Sequence, residues 1–299
     1  MKAWRTNFVL GLSIGIGLMI IIVLVDIGLI GLASSRPLSI GTFLIGLAVL
    51  LSFGLLGLIG YWVYGLGASG YFLDRNALII QWGPAEQVIP TGQIERVFVG
   101  EELEDPVIFH GGRWPGHWVG YGAIVNIGQT LFYATVPPPQ QVYIATPGLV
   151  YGISPAERDD FLRSLQRRLQ MGPTQVVEQS SKRPAFLEWS IWQDWLGLTL
   201  LATSFLALLV LIGLLCFRSP SLPMLVPLHF DAAGKVDRLG PRGLIFIVPL
   251  IGLLTLLLNG VLGGLAYRRE RVASYLLWGG ALLVQVLVWT ATLGILGRL

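Results

Sequence analysis

Five predominantly apolar stretches, each long enough to cross a bilayer, constrain this chain more than any other feature. A helix rises 1.5 Å per residue, so about 20 apolar residues cover a hydrocarbon core of ~30 Å. Phe8–Ala33, Ile40–Ala68, Leu196–Phe217, Leu244–Tyr267 and Val272–Leu296 all reach that length. Composition agrees, since 54% of the 299 residues are hydrophobic and only 12% are charged, about half the charged share of an ordinary soluble domain. A soluble globule cannot bury that much apolar surface. The first stretch follows Lys2 and Arg5, as a secretory signal would. Its apolar part is far longer than the roughly 7–15 residues of such a signal, so it is expected to remain as an anchor.

Lys and Arg near the span ends set the expected orientation. With the N-terminus inside, the inner side carries Lys2, Arg5, Arg75, Lys182, Arg183, Arg268, Arg269 and Arg271; the outer side carries Arg36, Arg218, Lys235, Arg238, Arg242 and Arg298. The N-terminal pair and the tight turn Arg268–Arg271 weigh most. They predict an inner N-terminus, an inner domain between the second and third spans, and an outer C-terminus. The net charge of +3 comes from scattered residues, which excludes the dense basic stripe of a nucleic-acid-binding face. The single cysteine, Cys216, cannot form an internal disulfide.

From Gly70 to Met171 charges and turn residues return, and the apolar runs shrink to strand length. Ala77–Trp82, between Asp74-Arg75-Asn76 and Gly83-Pro84, reads as a hairpin strand. Further strands are expected at Gln87–Ile89, Ile94–Val99, Leu131–Thr135, Gln141–Ala145 and Leu149–Gly152. A helix over Ser154–Gln170 follows, because Ser154-Pro155-Ala156-Glu157 has the form of a capping box with proline at the first helical position. Phe161, Leu162, Leu165 and Leu169 give it one apolar face for packing on the strands.

Specific residues within this architecture carry a family resemblance. Arg113-Trp114-Pro115-Gly116-His117-Trp118-Val119-Gly120, then Phe132-Tyr133-Ala134-Thr135, then Ile153-Ser154-Pro155 resemble the bacterial PH domains often fused to membrane spans. The resemblance implies a PH-like β-barrel closed by one C-terminal helix, and it brings no catalytic residue. After the third span, Pro223–Gly240 follows the pattern P-x-x-x-P-x-H-F-D-x-x-G-x-x-D-R. With its flanking spans it resembles the membrane domain of unknown function that opens the SdpI-type immunity proteins. Those proteins continue into a further multi-span region without a counterpart in these 299 residues, so the resemblance implies the domain and not the immunity activity.

The expected fold is therefore an integral membrane α-helical protein with about five transmembrane helices and an inserted α+β PH-like β-barrel domain, in a bacterial plasma membrane. Its parts are a two-helix hairpin (1–69), the PH-like domain (70–171), a linker with an aromatic segment (172–195), and a three-helix membrane domain (196–299) with an outer loop at 218–243. Trp189, Trp192 and Trp195 recur at helical spacing ahead of the third span. Tryptophan favours the membrane–water interface, so anchoring is the plainer reading and lipid binding the sharper one.

Candidate site residues are few. His229, Asp231, Asp237 and Arg238 crowd the outer loop; turn chemistry, recognition of a partner or ligand, and a metal with fewer than four ligands all remain open, in that order. Asp26 interrupts the first span, and an intramembrane carboxylate is a functional hypothesis by default. His110 and His117 flank a glycine- and aromatic-rich segment read as a structural loop. The acidic run Glu101, Glu102, Glu104 and Asp105 argues against a phosphoinositide-binding mouth and for protein contact. Asn259 and Gln285 can bond across the last helical hairpin. The sequence has no phosphate-binding glycine loop and no H-E-x-x-H motif. The expectation is a non-enzymatic protein without cofactor, of sensory, regulatory or immunity type. Its partners would be the lipid bilayer and a protein at the PH-like domain, with an oligomer possible in principle. A scaffold or a transporter is the alternative.

Overall fold

The computed structural model describes residues 1–182, 189–230 and 236–299, the side chains of 228–230 excepted. The chain divides into two compact units, Met1–Val25 with Ser52–Ala185, and Asp26–Leu51 with Phe186–Leu299.

The first unit begins with strand β1 (Lys2–Arg5), enters helix α1 (Val9–Ser34) and returns along helix α2 (Ile40–Gly67). Strands β2 (Ser69–Leu73), β3 (Ala77–Trp82) and β4 (Ala85–Pro90) then form an antiparallel meander. β1 pairs with β2, from Lys2 opposite Leu73 to Arg5 opposite Gly70. The N-terminus is thus an edge strand of the inserted domain.

Six further strands, β5 (Arg96–Val99), β6 (Val107–Trp114), β7 (His117–Ile124), β8 (Gly128–Ala134), β9 (Val142–Ala145) and β10 (Val150–Ile153), make a second sheet in the order β5-β9-β10-β8-β7-β6. Helix α3 (Arg158–Met171) follows, and strand β11 (Ser180–Lys182) closes the first sheet by pairing with β4. The main core joins both sheets to the helix through Tyr71, Leu78, Ile80, Ile144, Tyr151, Ile153, Phe161 and Leu165. The expected apolar face of α3 is the buried one, with Phe161 and Leu165 fully enclosed and Leu162 and Leu169 packed beside them. Gly172, at φ +68°, ends the helix.

Three local expectations change. The helix starts at Arg158 rather than Ser154, and no side chain caps it. The Ser154 hydroxyl instead accepts from the Thr135 N–H at 2.7 Å, while the Ser154 N–H donates to the Tyr71 hydroxyl at 3.0 Å. Strand contacts claimed the residues that the capping box would have used, and the Ala156 N–H likewise donates to the Arg5 carbonyl. Residues 111–116, the segment between His110 and His117 read as a loop, instead belong to the β6–β7 hairpin, whose pairing runs from Val107 opposite Ile124 to Trp114 opposite His117. Pro115-Gly116 turns it, with Gly116 at φ +84°, the proline-then-glycine order of a type II turn. The linker after α3 is also not all loop, since 180–182 is an edge strand.

The second unit holds the far ends of α1 and α2 with helices α4 (Trp195–Arg218), α5 (Ile247–Ala266) and α6 (Arg271–Leu296). Strands β12 (Leu225–Phe230) and β13 (Val236–Pro241) form a hairpin between α4 and α5. Small residues let the helices approach. The Trp278 indole lies over Gly263, where an added Cβ would be 2.3 Å from its nitrogen, and over Gly197, where the closest ring atom would be 2.5 Å away. Gln285 donates to the Gly252 carbonyl at 2.9 Å in a buried contact, so its partner across the hairpin is backbone rather than Asn259. All five long helices are apolar enough to cross a membrane, with mean hydropathy between 1.8 and 2.8.

Candidate functional site

The inserted domain offers a groove of about 390 Å³ between β5 and α3. Its floor is Phe98, Leu162, Leu165 and Leu169, and its rim carries Glu95, Arg96, Glu102 and Gln166. β5 ends the six-stranded sheet, bonded to β9 on one side only. An edge strand keeps a row of backbone donors and acceptors open for a further strand. The Arg96 guanidinium lies 4.9 Å over the Phe98 ring, so one rim charge is already held in place. Glu101, from the acidic run, pairs with Arg158 at 3.2 Å, and Asp105 accepts from Asn126 at 2.9 Å. Two members of that run therefore have local structural partners.

An aromatic box sits where the β6–β7 turn meets α1 and α2. His117 is fully buried, 4.1 Å from the Trp114 ring, 6.0 Å from Trp62 and 6.2 Å from Trp82. Neither imidazole nitrogen has a hydrogen-bond partner among the described residues. Burial holds its pKa down at about 4, so the ring is a neutral packing element at pH 7. His110 is exposed on β6, its ring 5.6 Å from Tyr121.

In the second unit the sequence candidates separate. His229 stands opposite Arg238 in the β12–β13 register, Asp237 and Arg238 are exposed, and Asp231 lies outside the described residues. Asp26 is buried, 7% exposed. Trp192 and Trp195 are 56% and 75% exposed, whereas Trp189 turns inward and packs with Ile191, Tyr267 and Trp278. The three tryptophans do not share one face, because Trp189 is extended and Asp194 is non-helical, so the run is broken on both sides of the short 3-10 turn at 190–193.

That turn sets up a polar knot for which no role was foreseen. Asp194 caps α4 by accepting the Gly197 N–H at 3.0 Å and also accepts from the hydroxyls of Tyr267 at 2.8 Å and Tyr275 at 2.7 Å. Burial is the largest influence on its carboxyl and pushes the pKa up. The Gly197 N–H, the two tyrosine hydroxyls and the Leu196 N–H together outweigh it and hold the group below its ordinary value. An aspartate directly before an apolar run is an N-cap signal, and it was the available clue.

Spans, sheets and closing helix define a multi-pass membrane protein with a PH-like domain inserted between its helices. Residues 69–169 match the family model of the bacterial PH domain, and residues 205–253 match that of a domain of unknown function, DUF1648. The chain thus combines the two modules that its motifs resemble. No curated protein and no solved structure matches it.

Proposed function

We propose that this is a non-enzymatic membrane protein of sensory, regulatory or immunity type, whose PH-like domain takes up an extended segment of a partner protein in the cytoplasm. The observation that carries the reading is the open edge of β5 beside the groove on α3. A partner strand added there gains main-chain hydrogen bonds, and its alternate side chains reach the floor of Phe98, Leu162 and Leu169. The opposite edge strand, β6, runs at Gly112 against the Trp62 indole at the end of α2, which leaves less room for an incoming chain. Glu95 and Arg96 guard the β5 edge with charge, the usual protection against indiscriminate pairing. On this reading the β12–β13 hairpin faces the other side and meets a ligand or peptide. The cytoplasmic placement rests on Lys2, Arg5 and the Arg268–Arg271 turn.

The test is crosslinking in native membranes with the full chain, comparing wild type with Gln166→Trp. Gln166 is an exposed groove residue, so an indole there obstructs the groove without entering the core. Partners captured by wild type should be lost from Gln166→Trp and kept by Asp237→Lys. An unchanged set of partners in Gln166→Trp would refute the groove as the docking site.

A further inference from the structure

A second cavity lies in the membrane unit, separate from the β5–α3 groove. It occupies about 600 Å³, within the roughly 300–1,000 Å³ range of small-molecule sites. Ile30 of α1, Phe43, Gly46 and Leu50 of α2, and Leu209 and Ile212 of α4 line it, together with Cys216 and Phe246. The Phe43 ring meets α4 closely at Gly213, where an added Cβ would lie 3.2 Å away.

The cavity has almost nothing to offer water. Its lining hydroxyls are those of Ser34 and Thr42, and each donates to its own helix or turn, Ser34 to the Gly31 carbonyl at 2.9 Å and Thr42 to the Ser39 carbonyl at 2.8 Å. Ordered water needs two to four polar partners, so a site this large and this apolar calls for hydrocarbon.

The end of the unit nearest Phe246 has a definite charge. Arg36 lies in the α1–α2 turn between the lining residues Ser34 and Leu38, Arg218 follows Cys216 by two positions, and Arg242 precedes Phe246 by four. All three are exposed, and none has an ion-pair partner among the described residues. Asp237 is the one acidic residue described between Arg218 and Phe246. Arginine is well suited to bind phosphate oxygens in pairs.

We propose that this cavity holds the acyl chain of an anionic glycerophospholipid, with the phosphate at Arg36, Arg218 and Arg242. The lipid completes the packing between the α1–α2 turn and α4. Charge complementarity selects the headgroup, and the dry apolar wall selects the tail. The inference is independent of the partner groove.

Native mass spectrometry of the full chain in detergent, titrated with phosphatidylglycerol or phosphatidylcholine, tests it. Wild type should bind one phosphatidylglycerol at least fivefold more tightly than phosphatidylcholine. Gly46→Phe should lower phosphatidylglycerol affinity at least tenfold, because no atom lies within 4 Å of a Cβ at that position and the added ring fills the cavity. Arg36→Gln with Arg218→Gln, which leaves the cavity open, should reduce affinity for phosphatidylglycerol to that for phosphatidylcholine. Helical circular dichroism and elution volume verify that each variant is folded, and the arginine pair keeps the test decisive if Gly46→Phe does not fold. Equal binding of the two lipids by wild type, full binding by folded Gly46→Phe, or a ladder of many equivalent lipids would overturn the proposal.

Discussion

The indole nitrogen of Trp114 donates to the carbonyl oxygen of Gly11 at 3.0 Å. One residue belongs to the β6–β7 turn and the other to the first turn of α1, so this bond ties the inserted domain to the start of the first span. The backbones touch as well. A Cβ on Gly11 would lie 2.3 Å from the Gly116 carbonyl oxygen, and one on Gly116 would lie 2.3 Å from the Gly11 nitrogen. Neither neighbour is a flexible side chain that could move aside.

Gly11→Ala should therefore loosen the hairpin tip from α1, at a cost of about 1–3 kcal/mol, the usual range for overpacking. Gly17→Ala is the matched control, because nothing lies within 4 Å of its Cβ position. Limited proteolysis of the 107–124 hairpin should accelerate in the first variant only.

The buried His117 makes the same region sensitive to acid. Its folded pKa, about 4, lies below the ordinary 6.5, so the folded state binds fewer protons than the unfolded one. Its contribution to stability is complete above pH 6.5, falls as pH drops from about 6.5 to 4, and is gone below that. The loss is on the order of 3 kcal/mol at most. His117→Phe keeps a flat aromatic ring and removes the titration, so its unfolding midpoint should vary less with pH across that window. Equal slopes for the two proteins would show that His117 does not control the response.

Two adjacent glycines of α5 should behave differently. Gly263→Ala drives a methyl into the Trp278 indole and should destabilise the α5–α6 hairpin by about 1–3 kcal/mol. Gly264, with nothing within 4 Å of its Cβ position, should accept alanine with a small gain from helix propensity. Unfolding by a denaturing detergent, followed through tryptophan fluorescence, separates them.

Asp194 joins the start of α4 to Tyr267 and Tyr275, and hydrogen bonds to a charged group are worth about 1.5–3 kcal/mol each. Asp194→Ala should cost more than Tyr267→Phe or Tyr275→Phe alone. Asp194→Asn keeps the cap acceptor and should fall between. Thermal unfolding of the four variants in one detergent gives the order.

The modules were legible in the sequence because their signals are local. A run of twenty apolar residues has few alternatives to a spanning helix, and the 161, 162, 165 and 169 spacing chose the buried face of α3 before any partner was known. The β6–β7 hairpin was hidden for the opposite reason. Glycine has little intrinsic strand preference, yet Gly120 and Gly122 are required there, since Cβ atoms would lie 2.1 Å and 1.9 Å from the His110 and Ile108 carbonyl oxygens. That requirement exists only once the strands are paired.

By itself the sequence determined the spans, the domain between them, and the two modules that its motifs resemble. Each follows from hydrophobic length, periodicity or a short contiguous motif. Tertiary structure decided which side chains meet. β1 pairs with residues 65 to 71 positions away in the chain, Ser154 leaves its cap for Thr135 and Tyr71, and Asp194 gathers two tyrosines from beyond α5 and within α6. Such contacts join residues whose chain separation greatly exceeds any helix or strand period, so no local pattern encodes them and only the packed chain selects the partner.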